Sequence, residues 1–216
     1  MGREVIEIFK AQNELKNRWQ ILGFLDDDQE LRSKTINNFP VLGGISWLSG
    51  RQDEGIKCVC AIGNTATRKK IVDKITKLGG EFCQAIHPTV TTSETVELGE
   101  DVIICAGTIL TVNISIDDHS IINLNCTIGH DAVIEKFCTL NPTASINGHD
   151  HLEEGVYIGS GATLIEGVRV GKWTTIGAGA VVVDDIPAGI VAVGVPAKPI
   201  RNKTSEEIPL SKSGKT

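Results

Sequence analysis

Aliphatic side chains recur at every sixth residue through most of the carboxyl-terminal half of the chain. The positions, without a slip of register, are Leu98, Ile104, Leu110, Ile116, Ile122, Ile128, Ile134, Leu140, Ile146, Leu152, Ile158, Leu164, Val170, Ile176 and Val182. A second row, two residues earlier and mostly small, comprises Val102, Thr108, Ser120, Cys126, Ala132, Cys138, Ala144, Val156, Ala162, Val168, Thr174 and Ala180, with Ile114 and Asp150 as exceptions. Because residues two apart on a strand point the same way, each hexapeptide predicts one large and one small inward side chain.

Three such hexapeptides, each a short strand followed by a corner, predict one coil of a triangular solenoid. Residues eighteen apart then stack, and the span 98–182 exceeds the three or so repeats that a continuous solenoid core needs. We expect left-handed backbone at the Gly or Asn that often follows the aliphatic residue. These residues are Gly99, Asn123, Gly129, Asn141, Asn147, Gly159, Gly171 and Gly177. A helix is excluded, since six is not a multiple of 3.6.

The pattern before residue 86 is different, because helical and strand periods alternate there. Residues 3–17 have helical spacing, and residues 20–26 predict a buried strand that ends in acids. Residues 57–64 predict a second strand that runs into a loop, and residues 68–78 predict a second helix. This alternation predicts a small open parallel α/β sheet.

Composition narrows the classes of function. Aromatic residues make up 4% of the chain and Gly occurs 23 times, which suits a repetitive architecture with tight corners. The net charge of −6 offers no basic surface for a phosphate backbone, so nucleic acid is a poor partner. The sequence has neither an apolar run long enough for a membrane span nor a secretory signal pattern, so we expect a soluble, cytoplasmic protein. The six cysteines lack zinc spacing and predict free, buried thiols.

Several motifs together resemble one family. They are Gly23-Phe-Leu-Asp-Asp-Asp28, Ala61-Ile-Gly-Asn64, the hexapeptides, Gly129-His-Asp131 and Gly194-Val-Pro-Ala-Lys198. Over roughly residues 2–201 the chain resembles the hexapeptide-repeat bacterial sugar O- and N-acetyltransferases. That family includes sialic acid O-acetyltransferases and the N-acetyltransferases of nucleotide-linked 4-amino-4,6-dideoxy sugars. The resemblance implies a left-handed winding of the solenoid, acetyl-CoA as co-substrate, a sugar or nucleotide-sugar acceptor and a homotrimer.

With this resemblance, the chain divides into two domains and a tail. We expect a Rossmann-like α/β domain of the nucleotide-sugar-binding type over 1–85, a left-handed parallel β-helix over 86–201 and a polar, disordered tail over 202–216. One departure concerns the start. Relatives have a first strand and a Gly-rich phosphate loop before the first helix, whereas this sequence begins Met1-Gly2-Arg3-Glu4. Either the start was assigned too late, or this domain no longer binds a nucleotide through backbone N–H groups as its relatives do.

Acyl transfer from a thioester needs a base, a place for the oxyanion and alignment of two substrates. Among five histidines, His130 is the predicted base because it lies just beyond a corner and is followed by Asp131. In the resembling enzymes a His in this position is the general base, and the adjacent carboxylate raises its basicity. Asn123 matches a family Asn that helps to hold the nucleophile, although an Asn ladder with Asn141, stacked beneath it, is an equally good structural explanation.

The resemblance also implies binding residues. The donor would thread between two prisms and touch backbone near Gly148, Ser160 and Ala178, and Thr139 stands where some relatives have a second histidine. The candidates for the CoA phosphates are Lys198 and Arg201, with ordinary solvated charge as the alternative. The residues that match nucleotide-sugar contacts are Asp26, Asp27 and Gly63.

Two other classes of function remain open. One is a non-catalytic scaffold on the same prism, and the other is a metal enzyme like the γ-class carbonic anhydrases, which use this fold. His149-Asp150-His151 invites the metal reading, but its spacing does not match zinc ligands on neighbouring strands. We therefore expect no metal, and a local bulge or a lip of the cleft at these residues. No residue decides between N- and O-transfer.

Overall fold

The computed structural model describes residues 1–209. Its helices and strands are, in chain order, α1 (Gly2–Leu15), β1 (Phe24–Leu25), β2 (Thr35–Ile36), β3 (Phe39–Gly43), β4 (Lys57–Cys58), α2 (Thr65–Lys77), β5 (Glu81–Phe82), β6 (Ala85–Ile86), β7 (Glu97–Leu98), β8 (Ile103–Ile104), β9 (Ile109–Leu110), β10 (Ser115–Ile116), β11 (Ile121–Ile122), β12 (Thr127–Ile128), β13 (Val133–Ile134), β14 (Thr139–Leu140), β15 (Ser145–Ile146), β16 (His151–Leu152), β17 (Tyr157–Ile158), β18 (Thr163–Leu164), β19 (Arg169–Val170), β20 (Thr175–Ile176), β21 (Val181–Val182), β22 (Ile190–Val193) and β23 (Lys198–Asn202). Short 3₁₀ turns lie at Gln29–Leu31, Ile45–Leu48 and Gln52–Glu54.

The strands from β6 onward form a triangular prism, and each of its three faces is a sheet of parallel strands. The first face contains β7, β10, β13, β16 and β19; the second contains β6, β8, β11, β14, β17, β20, β22 and β23; the third contains β9, β12, β15, β18 and β21. Pairing is eighteen residues apart, as between Ile116 and Ile134 or between Ile128 and Ile146. Within this prism only β23 is antiparallel among the described strands. The predicted left-handed parallel β-helix of hexapeptide repeats is confirmed.

The interior of the prism consists of the two rows that the period predicts. From Ile104 to Val182 every residue of the aliphatic row is at most 2% exposed, and the smaller row is also buried. Removing this apolar surface from water, coil after coil, provides the main stabilisation of the prism. All six cysteines are free, although Cys58 and Cys83 are half-buried and not buried as expected; Cys126 and Cys138 lie on the small row. Burial raises the pKa of the Cys126 thiol to about 11 and that of Cys138 to about 12, so both are neutral at pH 7.

The left-handed residues of the corners are not where we expected them. They lie three residues after the aliphatic residue, not one, as at Asp131, Thr143 and His149, each with φ near +60°. The Gly that follows the aliphatic residue instead allows the backbone of the next coil to approach closely. A Cβ on Gly129 would lie 2.5 Å from the backbone N of Gly148 in the next coil.

The amino-terminal part contains both predicted helices, but its sheet is divided into two pieces. Strands β1, β3 and β2 form one piece, in which β2 is antiparallel to β3, and β4 and β5 form a parallel pair. Helix α1 packs Val5, Ile8 and Phe9 against Ile103 and Ile121 on the outer side of the second face. Helix α2 begins at an N-cap, where the Asn64 side chain accepts a hydrogen bond from the backbone N of Thr67 at 2.8 Å.

A buried arginine joins α2 to the prism. The guanidinium of Arg68, which is 0% exposed, donates to the carbonyl oxygens of Ile62 (2.6 Å) and Phe137 (2.7 Å) and to Thr139 Oγ1 (2.9 Å). Burial lowers its pKa to about 10, so the group is still charged at neutral pH. The second face therefore has the amino-terminal part as a fixed cover.

The chain beyond β23 is placed as far as residue 209. Arg201 pairs with Glu207 at 2.8 Å, and Ile208 packs against the cluster that contains Trp173, so residues 202–209 lie against the fold. The remainder of the predicted tail, 210–216, lies outside the described residues. Within residues 1–209, none of the helices is long and apolar enough to cross a membrane.

Candidate active site

Each of the three edges of the prism is a stack of corners, and two of these edges carry candidate residues. The histidine corner, between the third and first faces, comprises residues 111–114, 129–132, 147–150 and 165–168. The serine corner, between the second and third faces, comprises residues 123–126, 141–144, 159–162 and 177–180. Within one chain the two are separated by the width of the third face.

The histidine corner presents the predicted base with its carboxylate. Nδ1 of His130 lies 2.9 Å from Oδ2 of Asp131, and Nδ2 of Asn113, one coil earlier, donates to Oδ1 of Asp131 at 3.2 Å. These hydrogen bonds, first that of His130 and then that of Asn113, lower the pKa of the Asp131 carboxyl. The carboxylate is therefore ionised at neutral pH and accepts the Nδ1 hydrogen, while half of the His130 side chain is exposed.

The imidazole of His130 lies directly on the backbone of Gly148, eighteen residues further along the chain. A Cβ on Gly148 would be 2.7 Å from both Cε1 and Nε2 of His130. Any larger residue there would move the ring. The sequence prediction assigned Gly148 to the donor, and the structure adds that its missing side chain makes room for the base.

His149 and Asp150 continue the same corner without a bulge, so of the two expectations for these residues a lip of the cleft is the one that remains. The ring of His149 meets that of His130 edge to face, with centroids 5.0 Å apart. Asp150 points inward and is 0% exposed. Its carboxylate accepts from the backbone N of Asn147 (2.8 Å) and of Val168 (3.0 Å), and burial raises its pKa to about 6. Asp150 thus ties two coils together beneath His130.

The other histidines have different surroundings. His119 also pairs with a carboxylate, Asp101, at 3.0 Å, but its ring is enclosed between Phe82 and Phe137 at the junction with the amino-terminal part. His151 pairs with Glu135 at 2.9 Å. Of the His–carboxylate pairs, the one at His130 combines exposure with the corner position.

Four further predicted residues lie on the serine corner. Asn123 and Asn141 are stacked there; Oδ1 of Asn123 accepts from the backbone N of Leu124 at 2.9 Å, and Nδ2 of Asn141 donates to the Ile158 carbonyl at 2.7 Å. Exposed Ser160 and Ala178 occupy the same corner, one and two coils beyond Asn141 respectively. The structure of one chain therefore does not bring Asn123, Ser160 or Ala178 to His130.

Thr139 is a correction to the predicted donor site. Its side chain is 2% exposed, and its hydroxyl accepts from Arg68 and lies 3.2 Å from the Gly63 carbonyl, to which it donates. The residue is consequently buried between the second face and the amino-terminal part. Spacing from His130 does not reveal which face of the prism the amino-terminal part covers.

The charged candidates are held by local partners. Lys198 lies 3.5 Å from Asp184 and Arg201 pairs with Glu207, so neither cation is free of a carboxylate. Oδ1 of Asp27 accepts from the backbone N of Ile45 at 2.9 Å, and Oδ1 of Asp26 accepts from that of Asp28 at 2.9 Å. Both acids stabilise the loop after β1.

Two clefts of the single chain lie away from His130. One of about 480 Å³ is bordered by Arg18, Trp19, Gln84 and Glu100, and an adjoining one of about 330 Å³ is bordered by Gln12 and His87. Neither contains His130. Since substrates of the usual size are held in concave pockets, the histidine corner needs a further surface to enclose a ligand.

Comparison with known proteins identifies relatives of both parts. Residues 1–75 match the family model of the PglD N-terminal domain, and residues 151–184 match that of the bacterial transferase hexapeptide (six repeats). No curated protein sequence matches the chain.

Solved structures match nearly the whole chain. A histidine-to-asparagine mutant of perosamine N-acetyltransferase from Caulobacter crescentus, in complex with CoA and GDP-perosamine, is 31% identical with a TM-score of 0.85, covering 93% of this chain and 92% of that chain. The acetyltransferase domain of PglB from Neisseria gonorrhoeae, in complex with acetyl coenzyme A, is 31% identical with a TM-score of 0.85, covering 92% and 94%. WeeI from Acinetobacter baumannii is 29% identical with a TM-score of 0.79, covering 90% and 94%.

Proposed function

Because this chain belongs to the hexapeptide-repeat family of bacterial sugar acetyltransferases, we propose that it transfers the acetyl group of acetyl-CoA to an amino group of a nucleotide-linked sugar. The observation that carries the proposal is the exposed His130–Asp131 pair on a prism corner. The perosamine enzyme with CoA and GDP-perosamine, and the PglB domain with acetyl coenzyme A, support these substrates. Nucleotide-linked amino sugars are preferred over hydroxyl acceptors because the perosamine relative is an N-acetyltransferase.

The chemistry follows from the orientation of His130. Its Nδ1 hydrogen is donated to ionised Asp131, so Nε2 carries the lone pair and acts as the base. The neutral acceptor amine attacks the thioester carbonyl, the new C–N bond forms, and Nε2 takes the amine proton. As the C–S bond breaks, the same proton passes from the imidazolium to the CoA thiolate. Asp131 stabilises the transient imidazolium, and no acyl-enzyme is required.

We further propose a homotrimer with active sites between subunits. The base lies on the histidine corner, whereas Ser160 and Ala178, the small residues proposed to face the donor, lie on the serine corner across the third face. If two prisms meet, the histidine corner of one chain faces the serine corner of the next, and a closed ring of three completes every site equally. Acetyl-CoA supply and free thiols favour a cytoplasmic location.

The proposal is tested with an acceptor screen. The purified chain is incubated with acetyl-CoA and with UDP-, GDP- or CMP-linked amino sugars, and products are followed by mass and by release of free CoA thiol. We expect one acceptor to gain an acetyl group with stoichiometric thiol release. The matched hydroxyl sugars are the control for N-transfer. Acetylation of hydroxyl sugars alone would overturn the preference for an amine, and no acetylation of any acceptor would overturn the proposed reaction.

A further inference from the structure

Three side chains that ligate metals in other proteins converge at the histidine corner. His130, Asp131 and His149 each offer one ligand atom, and these atoms lie within 4.8 Å of one another. The proposed reaction uses the first two and leaves His149 without a role. Within residues 1–209 the imidazole of His149 has no hydrogen-bond partner, whereas His151 is paired with Glu135. The set that converges is therefore not the sequence run 149–151.

The backbone holds these three groups in fixed relative positions. Asp131 and His149 occupy equivalent left-handed positions on adjacent coils, with φ of 59° and 60°. The backbone N of His149 donates to the carbonyl of His130 at 2.9 Å, and the N of Asp131 donates to that of Val112 at 3.1 Å. Each corner is thus anchored to the coil before it. A ligand would find the three side chains already gathered, so little ordering would oppose its binding.

The donor set selects the class of ion. Two imidazoles and one carboxylate suit zinc and its borderline-soft neighbours, whereas magnesium and calcium prefer oxygen ligands throughout. His130 Nδ1 and Asp131 Oδ2 are 2.9 Å apart. Two ligands of a tetrahedral zinc ion with bonds of roughly 2.0 Å are separated by roughly 3.3 Å. This pair would therefore open by a few tenths of an ångström to take the ion in place of the shared hydrogen, and the ligand atom of His149 lies within 4.8 Å of theirs.

We propose that His130, Asp131 and His149 form a binding site for Zn²⁺ or a similar transition-metal ion, and that the ion inhibits the enzyme. The inhibition, though not the binding, rests on the proposed function. A metal on Nδ1 of His130 displaces the hydrogen that Asp131 accepts. The neutral imidazole then carries its hydrogen on Nε2 and has no lone pair there to take the proton of the amine. Asp131 is bound to the metal at the same time.

The binding is tested without any assay of activity. The whole chain, freed of metal, is titrated with Co²⁺, whose visible absorption reports nitrogen and oxygen ligands, and Zn²⁺ is then added in competition. We expect one ion per chain and displacement by Zn²⁺. His149→Ala should weaken binding about tenfold or more, while His151→Ala, the matched control, should leave binding unchanged. Equal binding by wild type and His149→Ala would overturn the site.

The inhibition is tested separately once an acceptor is known. We expect Zn²⁺ to inhibit the wild type, EDTA to restore activity, and His149→Ala to need at least tenfold more Zn²⁺ for half inhibition. A chain that binds Co²⁺ at this site but keeps full turnover when saturated would overturn the inhibitory role. A chain that binds Co²⁺ but acetylates no acceptor would contradict the proposed function and leave the binding site supported.

Discussion

At the residue scale, the position of His130 depends on the absence of a side chain at Gly148. His130 has Asp131 on one side and Gly148 beneath it, and the ring occupies the space in which a Cβ of residue 148 would lie. The backbone of Gly148 is outside the left-handed region, so glycine is required by the imidazole and not by the main chain. The orientation of the base is therefore set by one hydrogen bond and one close approach.

Gly148→Ala tests this arrangement. The added methyl group should rotate the His130 ring away from Asp131, and kcat should fall by roughly 10²-fold, because a displacement near 1 Å has about that effect on an aligned reaction. The melting temperature should change little, since the ring can turn toward solvent. The measurement is steady-state kinetics with a thermal melt as control. Wild-type kcat in Gly148→Ala would show that the packing of His130 on Gly148 is unimportant.

At the scale of elements, the amino-terminal part is joined to the prism by α2 and β14. Arg68 reaches from α2 to the carbonyl oxygens of Phe137 and Cys138 and to the hydroxyl of Thr139. The carbonyl oxygens of Phe137 and Ile62 accept no other hydrogen bond among the described residues, so they would be left unsatisfied if the guanidinium were removed, whereas the Cys138 carbonyl would keep the bond that it accepts from the backbone N of Ile121 at 2.9 Å. The Arg68 side chain therefore stabilises the junction between the amino-terminal part and the prism.

Arg68→Ala should lower the free energy of unfolding by roughly 3 kcal/mol, which corresponds to two or more buried acceptors left unsatisfied. Lys70→Ala, a change at an exposed position on the same helix, is the control and should shift stability by less than about 0.5 kcal/mol. Urea unfolding gives both values. If the two variants were equally stable, the Arg68 contacts would not stabilise the junction between the amino-terminal part and the prism.

At the scale of the whole molecule, the two corners that carry candidate residues cannot serve one ligand within a single prism. The proposed trimer resolves this separation, and it predicts that chains with different defects complement one another. His130→Ala damages the histidine corner, and Ala178→Trp blocks the serine corner, where Ala178 is exposed. Each variant alone should be inactive.

Mixing and refolding the two variants at equal amounts should restore about a quarter of wild-type activity, because a sound site then needs one intact corner from each of two neighbours. Light scattering should report a trimer of the 23.1 kDa chain. Activity of the mixture no greater than the sum of the separate variants, or a monomer with normal turnover, would contradict the proposed assembly.

Much of this molecule follows from its period of six, and what does not follow depends on contacts between distant residues. The period predicts both inward rows, and the stacking of residues eighteen apart could also have placed Gly148 beneath His130 and His149 beneath Asp131. The predicted position of the left-handed residues was wrong because Gly is used for two reasons. It tolerates a positive φ, and it also lets the backbones of adjacent coils approach closely. The burial of Thr139 could not be predicted, since it depends on how the amino-terminal part, through Arg68, packs on the second face.

The split amino-terminal sheet is a similar case. Its strands are two to five residues long, so periodicity indicates an α/β part without fixing how the strands pair. The pair of His119 with Asp101 shows that the sequence alone is equally unable to distinguish a buried His–carboxylate pair from a candidate active site. Among residues 1–209, two His–carboxylate pairs lie at left-handed corners, and the packing of Phe82 and Phe137 on His119 distinguishes the enclosed pair from the exposed one.

In the proposed reaction, His130 removes the proton of the acceptor during acetyl transfer. The most direct measurement is kcat for His130→Ala with an accepted sugar, together with the dissociation constant of acetyl-CoA. Since a general base acts in the transition state and not on the donor, kcat should fall by about 10² to 10⁴ while donor binding is unchanged. Asp131→Asn should lose less. A His130→Ala enzyme that keeps more than about a tenth of wild-type kcat would contradict the account.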